Sequence, residues 1–296
     1  MEGSRSEPAA PGNNPAGQRS SPSASRRVKS LMTAAGQGLL ELVYPSRCCI
    51  CEADLSRTVL VPSGNSGGLP DFAAALASHL CSACAAAMTP IASPLCLCCG
   101  QMFDGRRGED HLCGECYRRN RHFDSARAAG IYDQSLMTMV QQLKYGRRTE
   151  LARPLGRVLL AGLRRWYDPA GFDWIVPVPL HLRKQRQRGF NQVYLLLRQW
   201  PRQARESGLE IPDGRVNRHL LVRSRPTRSQ TRLSRKERRH NVRGAFAARR
   251  KADIRGRSIL LVDDVYTTGA TVEECARVLR AAGAAAVHVL SLARAR

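Results

Sequence analysis

Ile259-Leu260-Leu261-Val262-Asp263-Asp264-Val265-Tyr266-Thr267-Thr268-Gly269-Ala270-Thr271 decides the reading of this chain. An apolar run ends in two carboxylates, and a short loop of hydroxyls and glycine follows. The segment from Val272 to Ala282 then has helical character. A strand, a loop and a helix N-terminus are a phosphate cradle: backbone N–H groups of the first turn face the anion and the helix dipole attracts it. Thr267, Thr268 and Thr271 offer hydroxyl donors, and Gly269 allows a tight turn and close approach.

Asp263 and Asp264 at the strand end would repel a bare phosphate. They fit a ligand that also carries hydroxyls or arrives with a divalent cation. A sugar phosphate with a diol, chelated to Mg²⁺, satisfies both conditions.

Away from this stretch, apolar segments alternate between strand and helix patterns. Strands are expected at Ala128–Tyr132, Trp174–Pro179, Ile259–Val262 and Val287–Leu292, with helices at Ser135–Leu143, Glu150–Trp166, Asn191–Trp200 and Val272–Ala282. Gly283 suits a helix C-terminus. The alternation predicts an α/β fold with a mostly parallel sheet flanked by helices, its ligand at the carboxyl ends of the strands.

A second strand end, Val176-Pro177-Val178-Pro179, leads into Arg183-Lys184-Gln185-Arg186-Gln187-Arg188-Gly189-Phe190-Asn191-Gln192. Its cationic side chains and Gly189 suit a pyrophosphate, with Arg183 and Arg188 as ligands. The polar, basic run from Thr227 to Phe246 reads as a mobile lid that excludes water. His240 within it is an acid–base candidate, with a solvated loop histidine as the alternative.

Eight of the 11 cysteines form C-x-x-C pairs: Cys48/Cys51, Cys81/Cys84, Cys96/Cys99 and Cys113/Cys116. Two such knuckles close one tetrahedral thiolate site, a set that favours structural zinc. The simplest pairing is sequential, with an interleaved pairing open. The Gly/Ser-rich stretch Pro62–Gly68 reads as an insertion between the first two knuckles.

The formal net charge is +23, and between His181 and Arg257 there are 23 Lys and Arg against 5 Asp and Glu. Such concentration of positive charge suits polyanions, either a pyrophosphate-bearing ligand or nucleic acid. No run is apolar enough to span a bilayer. Residues 1–30 lack the apolar core of a secretory signal and read as a disordered tail, so a cytoplasmic protein is expected. Leu31–Val43 has helical spacing, ended by Tyr44-Pro45. The expected organisation is a tail (1–30), a helix and cysteine ribbon (31–122) and the sheet domain (123–296).

These blocks resemble two known patterns. Asp263–Thr271 is similar to the signature that binds phosphoribosyl pyrophosphate (PRPP) in type I phosphoribosyltransferases. The wider set is Tyr44-Pro45 before Cys48, the later knuckles, Leu143-Lys144-Tyr145, Pro177-Val178-Pro179, Arg188-Gly189-Phe190-Asn191-Gln192, Gln230, Arg238-x-x-Asn241, Gly244-Ala245-Phe246 and that signature. Together they resemble the ComF family, which joins a double zinc ribbon to a phosphoribosyltransferase-like domain. The resemblance covers residues 31–296. Val193, Leu195 and Leu196 depart from it, standing where the family prefers smaller residues.

The resemblance implies that Asp263 and Asp264 hold the ribose hydroxyls, directly or through Mg²⁺. Thr267, Thr268, Gly269 and Thr271 would cradle the 5′-phosphate, and Arg183, Arg188 and Gly189 would form the pyrophosphate side. Asp263, Asp264 and Arg188 are then the catalytic candidates for phosphoribosyl transfer to an unidentified acceptor. A PRPP- or nucleotide-sensing module is the alternative. The family further implies a role in DNA uptake during natural competence, with single-stranded DNA and a helicase as partners.

Overall fold

The computed structural model describes residues 46–55, 72–105, 108–228, 233–249 and 254–296. The tail, the helix expected at Leu31–Val43, Tyr44-Pro45, the Pro62–Gly68 insertion and Gln230 lie outside the described residues. Ser46–Arg296 forms one compact unit, in which the cysteine-bearing segment packs directly on the sheet.

Three short helices belong to the cysteine-rich segment: α1 (Phe72–Leu76), α2 (Ser82–Ala86) and α3 (Gly114–Arg118). β1 (Ser125–Ile131), α4 (Gln134–Tyr145), α5 (Ala152–Trp166) and β2 (Trp174–Pro177) follow. α6 (Leu182–Arg188), α7 (Gln192–Leu197) and α8 (Trp200–Glu206) then lead to β3 (Leu221–Arg223), α9 (Arg235–Val242) and β4 (Phe246–Ala248). β5 (Ser258–Tyr266), α10 (Ala270–Ala281) and β6 (Ala286–Arg294) end the chain.

The main sheet has the order β1-β6-β5-β2, and all its pairings are parallel. β3 and β4 pair antiparallel as a separate ribbon, which the sequence reading did not include. Side chains alternate across the sheet as a strand requires. Leu260 and Val262 face a core built with α4, α5 and α7, whereas Ile259 and Leu261 face a core built with α10. In α5, Leu155, Val158, Leu159 and Leu163 are fully buried, a stripe at helical spacing that fills one of these layers. Among the described residues no helix is long and apolar enough to cross a membrane.

The strand expected at Ala128–Tyr132 begins earlier, at Ser125, and that expected at Trp174–Pro179 ends at Pro177; two further differences bear on the site. The helix expected over Asn191–Trp200 is interrupted after Leu197 and restarts at Trp200, where Pro201 suits the first turn of a new helix. The strand expected to stop at Val262 continues to Tyr266. It continues because its polar positions are satisfied: Asp263 to Tyr266 still pair with β6, and the Asp264 side chain has partners of its own.

Candidate functional site

The extension of β5 sets the geometry of the carboxylates. Successive strand residues point to opposite faces. Asp264 continues the face of Leu260 and Val262, and Asp263 the face of Ile259 and Leu261. Asp264 accepts an ion-paired hydrogen bond from Lys144 Nζ at 2.7 Å and another from Gln192 Nε2 at 2.6 Å. Lys144 is on the last turn of α4, held there by buried Leu136, Met139, Val140 and Leu143 on the same helix. Burial opposes its charge, but the charge and hydrogen bond of Asp264, with the nearby Asp263 carboxylate, together outweigh burial and raise its pKa.

Among the described residues Asp263 has no such cationic partner in contact. One of its oxygens accepts from the Asp264 amide at 2.9 Å. Burial pushes its pKa up to about 7, and the adjacent Asp264 carboxylate adds to the rise. The pair therefore divides the work. Asp264 is neutralised within the fold, and Asp263 is held near the foot of a pocket in need of a cation or a hydroxyl donor.

The RGFNQ segment supplies the scaffold around them. Gly189 ends α6 in the left-handed conformation, with φ of +86°. Asn191 caps α7 by accepting from the amides of Val193 and Tyr194, while its Nδ2 donates to Val178 O at 3.2 Å. Gln192 is thereby aimed at Asp264. Arg188 donates to Gln192 Oε1 at 2.8 Å and lies 4.9 Å from the Tyr145 ring centroid.

Across the pocket, Gly269 precedes α10 with φ of +74°. A Cβ there would come within 2.3 Å of the Tyr266 hydroxyl, so only glycine fits the turn. Thr267, Thr268 and Thr271 line the pocket around it.

The pocket encloses about 640 Å³ and, among the described residues, is lined by eight Lys or Arg side chains against Asp263 and Asp264. Lys184 and Arg188 of α6 are among the cations; Arg183 is exposed and does not line the pocket, and neither does His240. Burial lowers the Lys184 pKa, and the Arg223 and Arg188 guanidiniums lower it further, a sign of strongly positive potential. Arg223, at the end of β3, is buried enough to lower its own pKa, and its Nε has no hydrogen-bond partner. A buried donor without an acceptor is costly, and an anionic oxygen would satisfy it. The residues present thus fit a ligand with two anionic ends and a diol or cation between them.

The carboxylates and the threonine side chains that sequence reasoning singled out line one pocket. Arg223 and the pairing of Lys144 with Asp264 were not singled out by it. Lys144 stood out as part of Leu143-Lys144-Tyr145, directly after the apolar face of an amphipathic helix, but nothing local tied it to Asp264; Arg223 offered only a charge closing a short apolar run.

The stretch expected to be a lid is structured in its described part. Ser234 and Glu237 form a capping box at the start of α9, and Asn241 exchanges hydrogen bonds with the Arg228 backbone. Arg228, Leu233, Arg235 and Arg238 form one wall of the pocket.

The cysteines assemble in sequential order. The sulfurs of Cys48, Cys51, Cys81 and Cys84 lie within 4.8 Å of one another, as do those of Cys96, Cys99, Cys113 and Cys116. Tetrahedral zinc with bonds of about 2.3 Å places its sulfurs roughly 3.8 Å apart, and the Cys51–Cys81 and Cys99–Cys113 sulfur pairs stand at 3.6 and 3.8 Å. Backbone amides address the sulfurs, with Cys99 N and Cys113 N donating to Cys96 Sγ at 3.4 and 3.3 Å. Burial opposes ionisation of Cys48 and Cys96, but backbone amides and a neighbouring thiol of each one's own cluster outweigh it and bring the thiols to about 6 and 7. Both donor sets fit a structural thiolate-bound metal.

The two halves of this description match known domains. Residues 220–296 match the phosphoribosyl transferase domain, and residues 71–117 match the double zinc ribbon domain. The chain is 34% identical over 227 residues to DNA utilization protein YhgH of Escherichia coli (strain K12), which covers 73% of this chain and 90% of that protein. It is 35% identical over 187 residues to competence protein F of Haemophilus influenzae, covering 62% of this chain and 78% of that protein. Competence protein ComFC of Bacillus subtilis (strain 168) is 24% identical over 258 residues, 85% of this chain and 94% of that protein. The chain belongs to the ComF family, with a phosphoribosyltransferase-like α/β domain and a cysteine ribbon.

Proposed function

We propose that the pocket binds PRPP together with Mg²⁺ and transfers its phosphoribosyl group to an acceptor. The observation that carries this reading is the division between the two carboxylates. A protein that merely buried two acids would pair both; here Asp264 is paired with Lys144 while Asp263 faces the pocket with a raised pKa.

In this reading Thr267, Thr268 and Thr271 hold the 5′-phosphate at the start of α10. Asp263 and Asp264 accept from the ribose hydroxyls. Lys184, Arg188 and Arg223 receive the pyrophosphate, and their positive field grows in value as that group gathers charge on leaving. Bound with the ligand, Mg²⁺ would supply further neutralisation of the pyrophosphate oxygens. The ribosyl centre becomes oxocarbenium-like as its bond to pyrophosphate lengthens, and the wall formed by Leu233, Arg235 and Arg238 keeps water from it. The acceptor is unidentified. Two structural zinc ions in the cysteine clusters complete the assignment.

A two-ended site makes a specific demand. Ribose 5-phosphate and pyrophosphate should each displace labelled PRPP. Replacing Lys184 and Arg188 by Ala should weaken pyrophosphate by at least about tenfold and ribose 5-phosphate far less, since each lost charge-assisted contact is worth roughly 1.5–3 kcal/mol. Equal weakening of both, or competition by neither, would refute the assignment of ends.

A second reading concerns DNA. The names of the relatives point to DNA utilization and competence, and the excess of Lys and Arg between His181 and Arg257 suits a phosphate backbone. We extend that role to this chain as a partner in single-stranded DNA handling during uptake. It is compatible with PRPP chemistry in the pocket.

A further inference from the structure

The second cysteine cluster and the phosphate loop share one buried side chain. Arg294 is the last residue of β6, flanked in register by Ile131 of β1 and Tyr266 of β5. A buried guanidinium persists only where its donors and its charge are met. Its Nη1 donates to Cys99 O at 2.7 Å, and its Nη2 approaches Cys99 Sγ at 3.7 Å. The guanidinium carbon lies 4.4 Å from the Tyr266 ring centroid. Tyr266 is itself buried, and its hydroxyl fills the space where a Cβ on Gly269 would stand. Cys99, Arg294, Tyr266 and the left-handed turn of the loop therefore form one continuous stack.

The stack also ties down the sheet edge beside it. The Ala126 amide of β1 donates to Cys98 O at 2.7 Å, and Tyr132 N donates to Arg294 O at 2.7 Å. None of these contacts involves Asp263 or Asp264, so the stack reaches the pocket without touching its carboxylates.

We infer that Arg294 is a positioning residue that makes the conformation of Thr267–Thr271 depend on a metal-loaded second cluster. The backbone of a cysteine knuckle is fixed by its metal. The place of Cys99 O and Sγ, and with it the anchor of Arg294, follows from that metal. Arg294 in turn fixes the Tyr266 ring, against which Gly269 turns. Lysine cannot replace it, because one ammonium cannot both fork onto Cys99 and stack on the ring. The inference about the loop rests on these contacts; only the consequence for ligand affinity rests on the phosphoribosyl reading.

The test is amide hydrogen exchange on the full-length, ligand-free, zinc-loaded protein and on two variants, Arg294→Lys and Cys113→Ser. The first keeps a buried cation, and the second removes one ligand of the second cluster. Exchange at Thr267–Thr271 is expected to accelerate by about tenfold or more in both, while α8, which packs in the other core, is unchanged and Arg294→Lys keeps its full zinc content. Unchanged exchange at the loop in either variant, loosening shared equally by α8, or zinc loss from Arg294→Lys overturns the inference. In parallel, both variants should bind Mg²⁺–PRPP about tenfold more weakly. If the wild-type protein binds no PRPP, the phosphoribosyl reading fails, and the exchange data still decide the role of Arg294.

Discussion

Stripping metal from the two cysteine clusters with a chelator is expected to lower the melting temperature by at least about 10 °C and to expose the cluster thiols to alkylation. Structural thiolate zinc sites contribute roughly 10–16 kcal/mol of apparent binding energy, which is folding energy where the site cannot pre-exist. The clusters here are not appendages. Cys48, Leu76, Leu80, Cys81, Ala85 and Met88 belong to the same buried core as Leu155, Leu159 and Leu163 of α5. Gln142 of α4 donates to Cys49 O at 2.7 Å, and Lys144, which pairs with Asp264, is on the same turn. Loss of the first cluster should therefore reach the pocket through α4. The measurement is a thermal melt with thiol counting before and after chelation. The eight cluster thiols reacting before chelation as they do after it, with an unchanged melt, would show that the clusters hold no metal.

The second large effect is a trade of stability against binding at Asp263. Its folded pKa of about 7 lies above an ordinary carboxylate value. The folded state thus binds a proton that the unfolded state releases, and its contribution to stability declines as pH rises from about 4 to about 7. Above that window the cost reaches as much as about 4 kcal/mol. Asp263→Asn should be near wild type in stability at about pH 4 and more stable by an increasing margin up to about pH 7.

Ligand binding runs the other way. An ionised Asp263 accepts from hydroxyls or a cation, so wild-type affinity for Mg²⁺–PRPP should rise through about pH 7. Asp263→Asn should lose roughly a hundredfold or more in affinity, the scale of two charge-assisted contacts. Urea melts and titrations across this pH range check both arms. A variant less stable than wild type at neutral pH would remove the basis for treating Asp263 as a charge held for a ligand.

Much of this was legible in the chain, for local reasons. The strand, loop and helix of Ile259–Ala281 are contiguous, and each residue type has a role that spacing reveals. The C-x-x-C knuckles are equally local, although only the fold settled that they pair in sequence. Gly189 and Asn191 could be read as belonging to a turn and helix start, but not that they aim Gln192 at Asp264.

What could not be read was long-range. Lys144 and Asp264 are 120 positions apart. Arg223 reaches the pocket from an antiparallel ribbon too short to show alternation, and Arg294 looks like an ordinary terminal strand residue. Arg183, alike in sequence to Arg188, is five positions away on α6 and falls outside the pocket. The strand end after Val262 was misjudged because acids are poor strand formers unless partnered, and the partners of Asp264 come from α4 and α7.

The most direct test of the central claim is calorimetric titration of PRPP into the zinc-loaded protein at about pH 8, with and without Mg²⁺. Saturable binding that requires Mg²⁺, or strengthens at least tenfold with it, is the predicted result. No binding, or binding indifferent to Mg²⁺, by a folded and zinc-loaded protein would contradict it.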